Sequence, residues 1–244
     1  MELYTVEDYE TMSREVCAII CQKMSTLSSP VLGLATGSTP VRLYEMLVEQ
    51  YKAGAISFSN THTFNLDEYI GLLANDPNSY RYFMDKHLFN YIDIPNHQVN
   101  IPNGKAKNLE DECMRYEESI QAHDGIDLQI LGLGMNGHIG FNEPGTSFNS
   151  STHIVELQSS TRKANARFFN TIDEVPTKAI TMGISTIMKS KEIVLMVSGE
   201  NKAIALQELL NKQVSEQFPA SILHQHSNVK VIADKAALSS KIRS

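Results

Sequence analysis

The chain reads as an α/β protein, a single three-layer doubly wound domain over residues 1–244 with helices on both faces of a mostly parallel central sheet. Three observations predict this. Short, near-continuous apolar runs recur along the chain and alternate with segments of helical period, as they do when buried parallel strands are joined by covering helices. Several of these runs break directly into glycine- and hydroxyl-rich turns before the next helical segment. Hydrophobic residues make up 42% and charged residues 20% of the 244 positions, enough apolar material to bury one sizeable core.

Taken in order, Val6, Tyr9, Val16, Ile19, Ile20 and Met24 fall near helical spacing, which predicts an amphipathic helix over residues 5–24 with Thr5 as its N-cap and Asp8 three residues on. The run VLGLA predicts a strand over 31–35 that breaks into Thr36, Gly37, Ser38 and Thr39, and Pro40 then opens a helix over 41–52. Further strands are expected at 61–66, 127–134, 178–183, 192–199 and 229–234, and further helices at 80–90, 109–122 and 201–211. The polar stretch 142–160 is long enough to be a mobile loop that could act as a lid.

Charge and composition exclude several classes of function. Lys and Arg number 21 against 28 Asp and Glu, a net charge of -7 with no basic run, so neither nucleic acid nor an anionic membrane is an expected partner. An anionic small molecule can still be held, because a few placed cations and helix N-termini dominate at short range. The acidic N-terminus is followed by no apolar leader, and no stretch of 18 apolar residues occurs, so the expectation is a cytoplasmic protein. Cys17, Cys21 and Cys113 are an odd set without Cys-x-x-Cys spacing, and Cys17 and Cys21 read as small core residues. His224 and His226 form a His-x-His pair without further ligands, which favours a surface or subunit contact over a metal site.

In doubly wound folds ligands bind beyond the carboxyl ends of the strands, so chemistry is sought in the segments ATGSTP, NLDEY, GLGMNGHIGFNEPG and SGENKA. The first offers hydroxyls, a flexible glycine and backbone N–H groups at a helix start, which suits a phosphate or a plain turn equally, and it lacks the lysine of a P-loop. Asp67 and Glu68 follow a strand, where one carboxylate could move a proton on a substrate carbon or, alternatively, Asp67 could cap a helix. Adjacent residues on an extended segment point opposite ways, so one of the two faces the site. Asn136, His138 and Glu143 place an amide, an imidazole and a carboxylate within eight residues among glycines, a plausible acid/base relay. The same glycines match G-x-G-x-x-G but lie in mid-chain, and Glu156, the acidic residue about twenty positions on, follows a polar loop, so a dinucleotide site is not expected. Arg167 and Lys202 are either solvated charges or the cations of a phosphate pocket.

Together VLGLATGSTP, FNLDEYIGL, PNSY, IPNG, DLQILGLGMNGHIGFNEPGTSF, TRKANARFF, KAITMGI and SGENKAIAL resemble, in order and spacing over residues 31–234, the glucosamine-6-phosphate deaminase family. These aminosugar isomerases are related to 6-phosphogluconolactonases. The resemblance implies conversion of glucosamine 6-phosphate and water to fructose 6-phosphate and ammonia in the breakdown of amino sugars such as N-acetylglucosamine, with no cofactor and no metal. It implies that His138 opens the sugar ring, oriented by Asn136 and Glu143, and that Asp67 moves the proton from C2 to C1. It maps the phosphate pocket onto Thr36, Gly37, Ser38 and Thr39 with Arg167 and Lys202 as cations.

Two departures from the family's pattern matter. Some members carry Asp where Asn136 stands, and an amide orients an imidazole without taking up its charge. The allosterically activated hexameric members carry basic residues where this chain has His153 and Val155, and have a longer tail beyond the position of Ser244. Weak or absent activation by N-acetylglucosamine 6-phosphate, and a monomer or small homo-oligomer, are therefore expected. The competing readings are a lactonase with no task for Asp67 in carbon-bound proton transfer, and a sugar-phosphate sensor that would have lost the acid/base groups this chain retains.

Overall fold

The computed structural model describes residues 1–166, 169, 171–211 and 213–239. Its centre is a seven-stranded sheet built from β1 (Glu2–Val6), β2 (Val31–Leu34), β3 (His62–Asn65), β5 (Val99–Asn100), β6 (Leu128–Gly132), β9 (Ile193–Val197) and β10 (Val229–Asp234). The strands lie in the order β1-β10-β9-β6-β2-β3-β5, and each neighbouring pair is parallel. A three-stranded antiparallel sheet of β4 (Asp67–Tyr69), β8 (Lys178–Thr181) and β7 (His153–Glu156) stands beside it. This is the expected α/β architecture with its mostly parallel central sheet.

Alternation along the strands builds a core on each face of the large sheet. Leu32, Leu34, Leu128, Ile130, Val194, Met196 and Ile232 turn to one side, where α1 (Tyr9–Thr26), α2 (Val41–Lys52) and α3 (Tyr80–His87) cover them with Val16, Ile20, Leu43, Leu47 and Met84. Val31, Phe64, Leu131, Ile193, Leu195, Val197, Val229 and Val231 turn to the other, under α4 (Leu109–Ala122), α6 (Ile184–Met188) and α7 (Ala203–Asn211). The chain leaves β2 toward β3 on one flank and returns to β6 on the other, so strand order reverses at β2 and opens a crevice at the carboxyl ends of β2 and β6.

The structure corrects several expectations. Residues 5 and 6 belong to β1, not to a helix, and Thr5 caps nothing: Asp8 is the N-cap of α1, accepting from the Thr11 backbone N–H and hydroxyl at 2.8 Å each. That cap frees residues 2–6 to pair with β10 from Glu2↔Lys230 to Val6↔Asp234. The strand predicted at 178–183 forms, but as β8 in the antiparallel sheet. The 142–160 stretch contains β7 and the start of α5 (Ser159–Asn165), so it is more ordered than a plain loop. The 80–90 helix ends at His87, because Leu88 leaves helical geometry (φ -142, ψ -65), and a 3-10 turn follows over Phe89–Tyr91. The predicted helix over 201–211 starts as a 3-10 turn, Glu200–Lys202, before α7.

Neither histidine of the His-x-His pair joins a metal-binding group among the described residues. His226, expected in a surface or subunit contact, is buried with Nε2 2.8 Å from the Ser190 carbonyl, while the exposed His224 lies 2.7 Å from the Leu209 carbonyl. Glu156 is exposed at the end of β7, 3.5 Å from Lys178. Cys17 is buried and Cys21 half-buried, their sulfurs 4.0 Å apart on α1. Among the described residues no helix is long and apolar enough to cross a membrane.

Candidate active site

A cleft of about 680 Å³ opens at the switch point. The loop after β2 forms one wall: Thr36, Gly37, Ser38 and Thr39 all line it, and Gly37 takes a positive φ of 96° that other residues resist. Tyr9 on α1 fastens this loop to α2, because its hydroxyl donates to the Ser38 carbonyl and accepts from the Arg42 N–H, both at 3.1 Å. No side chain caps the start of α2 at Pro40, so the first turn of that helix meets the loop with its dipole uncapped.

Asp67 enters from a second direction. After β3 the chain passes through Leu66, which donates to the Leu34 carbonyl at 3.1 Å and accepts from the Met182 N–H at 2.6 Å, and then turns into β4. No helix follows Asp67, so it caps none. Alternation along β4 sends Asp67 and Tyr69 to the cleft and Glu68 away from it. Glu68 accepts backbone N–H bonds from Tyr69 at 2.8 Å, Tyr80 at 3.0 Å and Arg81 at 2.9 Å, which ties β4 to the first turn of α3. Asp67 is 6% exposed, and burial, with the neighbouring Glu68 charge, pushes its carboxyl up to about 8. Burial raises Glu68 as well, against the pull of its three N–H donors.

The loop after β6 supplies the third set. The Gly134 N–H donates to the His138 carbonyl at 2.9 Å, closing a tight turn, and a Cβ on Gly134 would strike the His138 ring at 2.4 Å. Within this turn His138 Nδ1 lies 2.7 Å from Asn136 Oδ1, and Asn136 Nδ2 donates to Glu143 Oε2 at 2.7 Å. An amide oxygen only accepts, so Nδ1 carries the proton and Nε2 keeps its lone pair. Glu143 Oε2 is also 3.6 Å from His138 Nδ1, and Glu143 Oε1 accepts from the Thr161 hydroxyl. Burial pushes the Glu143 carboxyl up, but its contacts with His138, Thr161 and Asn136 outweigh that and hold it below the ordinary carboxylate range. The Phe141 N–H donates to Thr181 Oγ1 at 3.1 Å, and Thr181 is paired with Asp67 across β4 and β8, so the relay loop is fastened beside Asp67. A Cβ on Gly140 would lie 3.6 Å from Asp67 Oδ2.

Asp67, His138, residues 36–39 and Lys202 thus share one cleft, with Asn136 and Glu143 behind His138. Arg167 lies outside the described residues. Sequence reasoning missed Tyr69, Tyr80, Thr161 and Asn165, which also line the cleft. The Tyr69 oxygen accepts from Asn165 Nδ2 at 2.8 Å and from the Tyr80 hydroxyl at 3.3 Å. Burial pushes Tyr69 up to about 12 and Tyr80 well above its ordinary value, so both stay neutral. Tyr69 was within reach of the sequence, two positions from Asp67 on an extended segment and so on the same face.

The family described as glucosamine-6-phosphate isomerases/6-phosphogluconolactonase matches residues 7–232. The chain belongs to this family. Within the glucosamine-6-phosphate isomerase/6-phosphogluconolactonase family it is 58% identical to glucosamine-6-phosphate deaminase of Oceanobacillus iheyensis, over 98% of this chain and 95% of that one. It is 53% identical to glucosamine-6-phosphate deaminase of Shouchella clausii, over 98% and 97% of the two chains. Among solved structures it superposes on a monomeric glucosamine-6-phosphate deaminase with a TM-score of 0.96 and 48% identity, covering 98% of this chain and 100% of that one. The 6-phosphogluconolactonase of Thermotoga maritima, 21% identical over 96% and 99% of the two chains with a TM-score of 0.77, shares the fold. The family's name joins isomerase and lactonase chemistry, so the groups in the cleft decide between them.

Proposed function

We propose that residues 1–244 act as one catalytic unit, a cytoplasmic glucosamine-6-phosphate deaminase that converts D-glucosamine 6-phosphate and water to D-fructose 6-phosphate and ammonia in amino-sugar catabolism. The observation that carries this reading is the buried Asp67 carboxylate sharing a cleft with His138, a second proton-transfer group beyond what lactone hydrolysis needs.

His138 moves the proton from the anomeric hydroxyl to the ring oxygen through Nε2, which gives the open-chain aldehyde. Its Nδ1–H is held by Asn136, which Glu143 holds in turn. Asn136 orients the ring, and the Glu143 charge 3.6 Å from Nδ1 favours the imidazolium as it forms. Asp67 then takes the C2 proton to give an enolamine and returns it to C1. The resulting ketiminium adds water at C2 and expels ammonia, leaving the ketone. These proton transfers and the hydrolysis require no redox group. Thr36, Gly37, Ser38, Thr39, Lys202 and Arg167 bind the phosphate and align C1 and C2 with Asp67. The protein acts as a monomer without activation by N-acetylglucosamine 6-phosphate, in keeping with His153 and Val155 in β7 and with the monomeric relative.

The test is release of ammonia and fructose 6-phosphate from glucosamine 6-phosphate by metal-free protein, with 6-phosphogluconolactone in parallel. Equal release of both products supports the reading. Asp67→Asn is expected to lower deaminase turnover by roughly 10²- to 10⁴-fold, the usual contribution of a general base. Lactone hydrolysis that survives this substitution, with no deamination by the wild type, would overturn it.

A further inference from the structure

We propose that Thr161 is a positioning residue for the deamination: its hydroxyl holds the Glu143 carboxylate in the orientation that aligns Asn136 and His138, so that docking of α5 on the cleft completes the relay. This rests on the reaction assigned above. Thr161 and Asn165 stand four residues apart, on one face of α5. Thr161 donates to Glu143 Oε1, and Asn165 Nδ2 donates to the Tyr69 oxygen at 2.8 Å. One face of a short helix therefore reaches both the relay and the aromatic wall beside Asp67. Next to this face Arg162 anchors α5 by donating to the carbonyls of Ile172 at 2.9 Å and Val175 at 3.0 Å.

The Glu143 carboxylate has both oxygens engaged, Oε2 by Asn136 and Oε1 by Thr161. Glu143 is 4% exposed, so with Thr161 removed Oε1 would have little water to turn to. It could then rotate toward another donor and release the Asn136 amide, and with it the His138 tautomer. Thr161 is 6% exposed, and its hydroxyl is spent on this contact. Among the described residues the titratable group facing Glu143 is His138, and the other two partners, Asn136 and Thr161, are neutral donors.

Thr161→Val removes the hydroxyl at nearly constant volume, and Thr161→Ser restores it. For Thr161→Val, kcat is expected to fall roughly 10- to 100-fold, the equivalent of one hydrogen bond to a charged group, while KM stays within about threefold. Thr161→Ser is expected to recover most of kcat. In ligand-free protein, ¹³C NMR of the Glu143 carboxyl should show its titration shifted up in the valine variant and restored in the serine variant. Wild-type kcat and an unmoved Glu143 titration in Thr161→Val would overturn the proposal, as would equal losses in both variants with an unchanged titration. The NMR arm needs no turnover, so a wild-type protein without deaminase activity defeats the assigned reaction while the Thr161–Glu143 coupling is still read.

Discussion

Asp67 is placed where its charge is costly. It is 6% exposed, and the next residue is a second buried carboxylate, so the ionised form that the proposed proton abstraction requires is the form the fold disfavours. With its folded pKa at about 8 against about 4 in an unfolded chain, Asp67 binds its proton more tightly when folded. Its contribution to stability is therefore complete below about pH 4 and is lost as pH rises through about 8. An amide in its place would not titrate. Asp67→Asn is thus expected to be impaired in turnover yet more stable than wild type at pH 8.5, by about 1–3 kcal/mol, with the difference shrinking toward pH 5. At this chain length that is a rise in Tm of about 2–4 °C per kcal/mol, readable by calorimetry at the two pH values. An impaired variant with no gain at pH 8.5 would mean that the carboxylate is better solvated in the cleft than its burial implies. Catalysis points the same way: kcat/KM reports the free enzyme and should climb with pH toward about 8.

Among the elements, β2 and β6 matter most, because the loops that leave them carry residues 36–39 and the His138 relay. In their parallel register Gly33 stands opposite Gln129, and the Gln129 side chain occupies the space a Cβ would need. Gln129 is fully buried and donates to the Ile130 carbonyl at 2.9 Å, while a Cβ on Gly33 would fall 2.0 Å from its Oε1. Gly33→Ala is expected to lose about 1–3 kcal/mol, the usual cost of overpacking a core, in a urea melt. Gly33→Ala with Gln129→Ala should recover part of that loss, since two residues in contact do not act additively. Additive losses would show that the glycine serves the backbone rather than the glutamine. Elements also differ in how far they were legible in the sequence. The helices at 41–52 and 109–122 could be read to the residue because their period and end signals are local. The spacing of Asn136, His138 and Glu143 was legible for the same reason, since one loop brings all three together. By contrast β4, β5 and β7 are short and held by pairing with distant partners, and β1 is mostly exposed, so none carries a strong pattern of its own. Thr161 and Asn165 reach the cleft only through tertiary contacts, to Glu143 and Tyr69, which spacing along the chain does not encode.

At the scale of the whole molecule, the two apolar faces of the central sheet are already covered by the chain's own helices. Among the described residues the exposed large apolar side chains are Leu3 and Tyr4 together on β1, Tyr82 and Tyr91 lining one shallow pocket, and Leu73, Met114, Met135, Ile172 and Ile204. Stable homo-oligomers bury a larger continuous apolar surface than such pairs provide. On the monomer proposed above there is no coupled subunit to bias, and cooperativity has no carrier. Sedimentation at micromolar concentration is therefore expected to give the mass of one chain, with a hyperbolic substrate curve that N-acetylglucosamine 6-phosphate does not change. A multiple of that mass, together with a sigmoidal curve that the acetylated sugar makes hyperbolic, would show that the surface outside the cleft carries an interface and that β7, with His153 and Val155, still communicates with the relay.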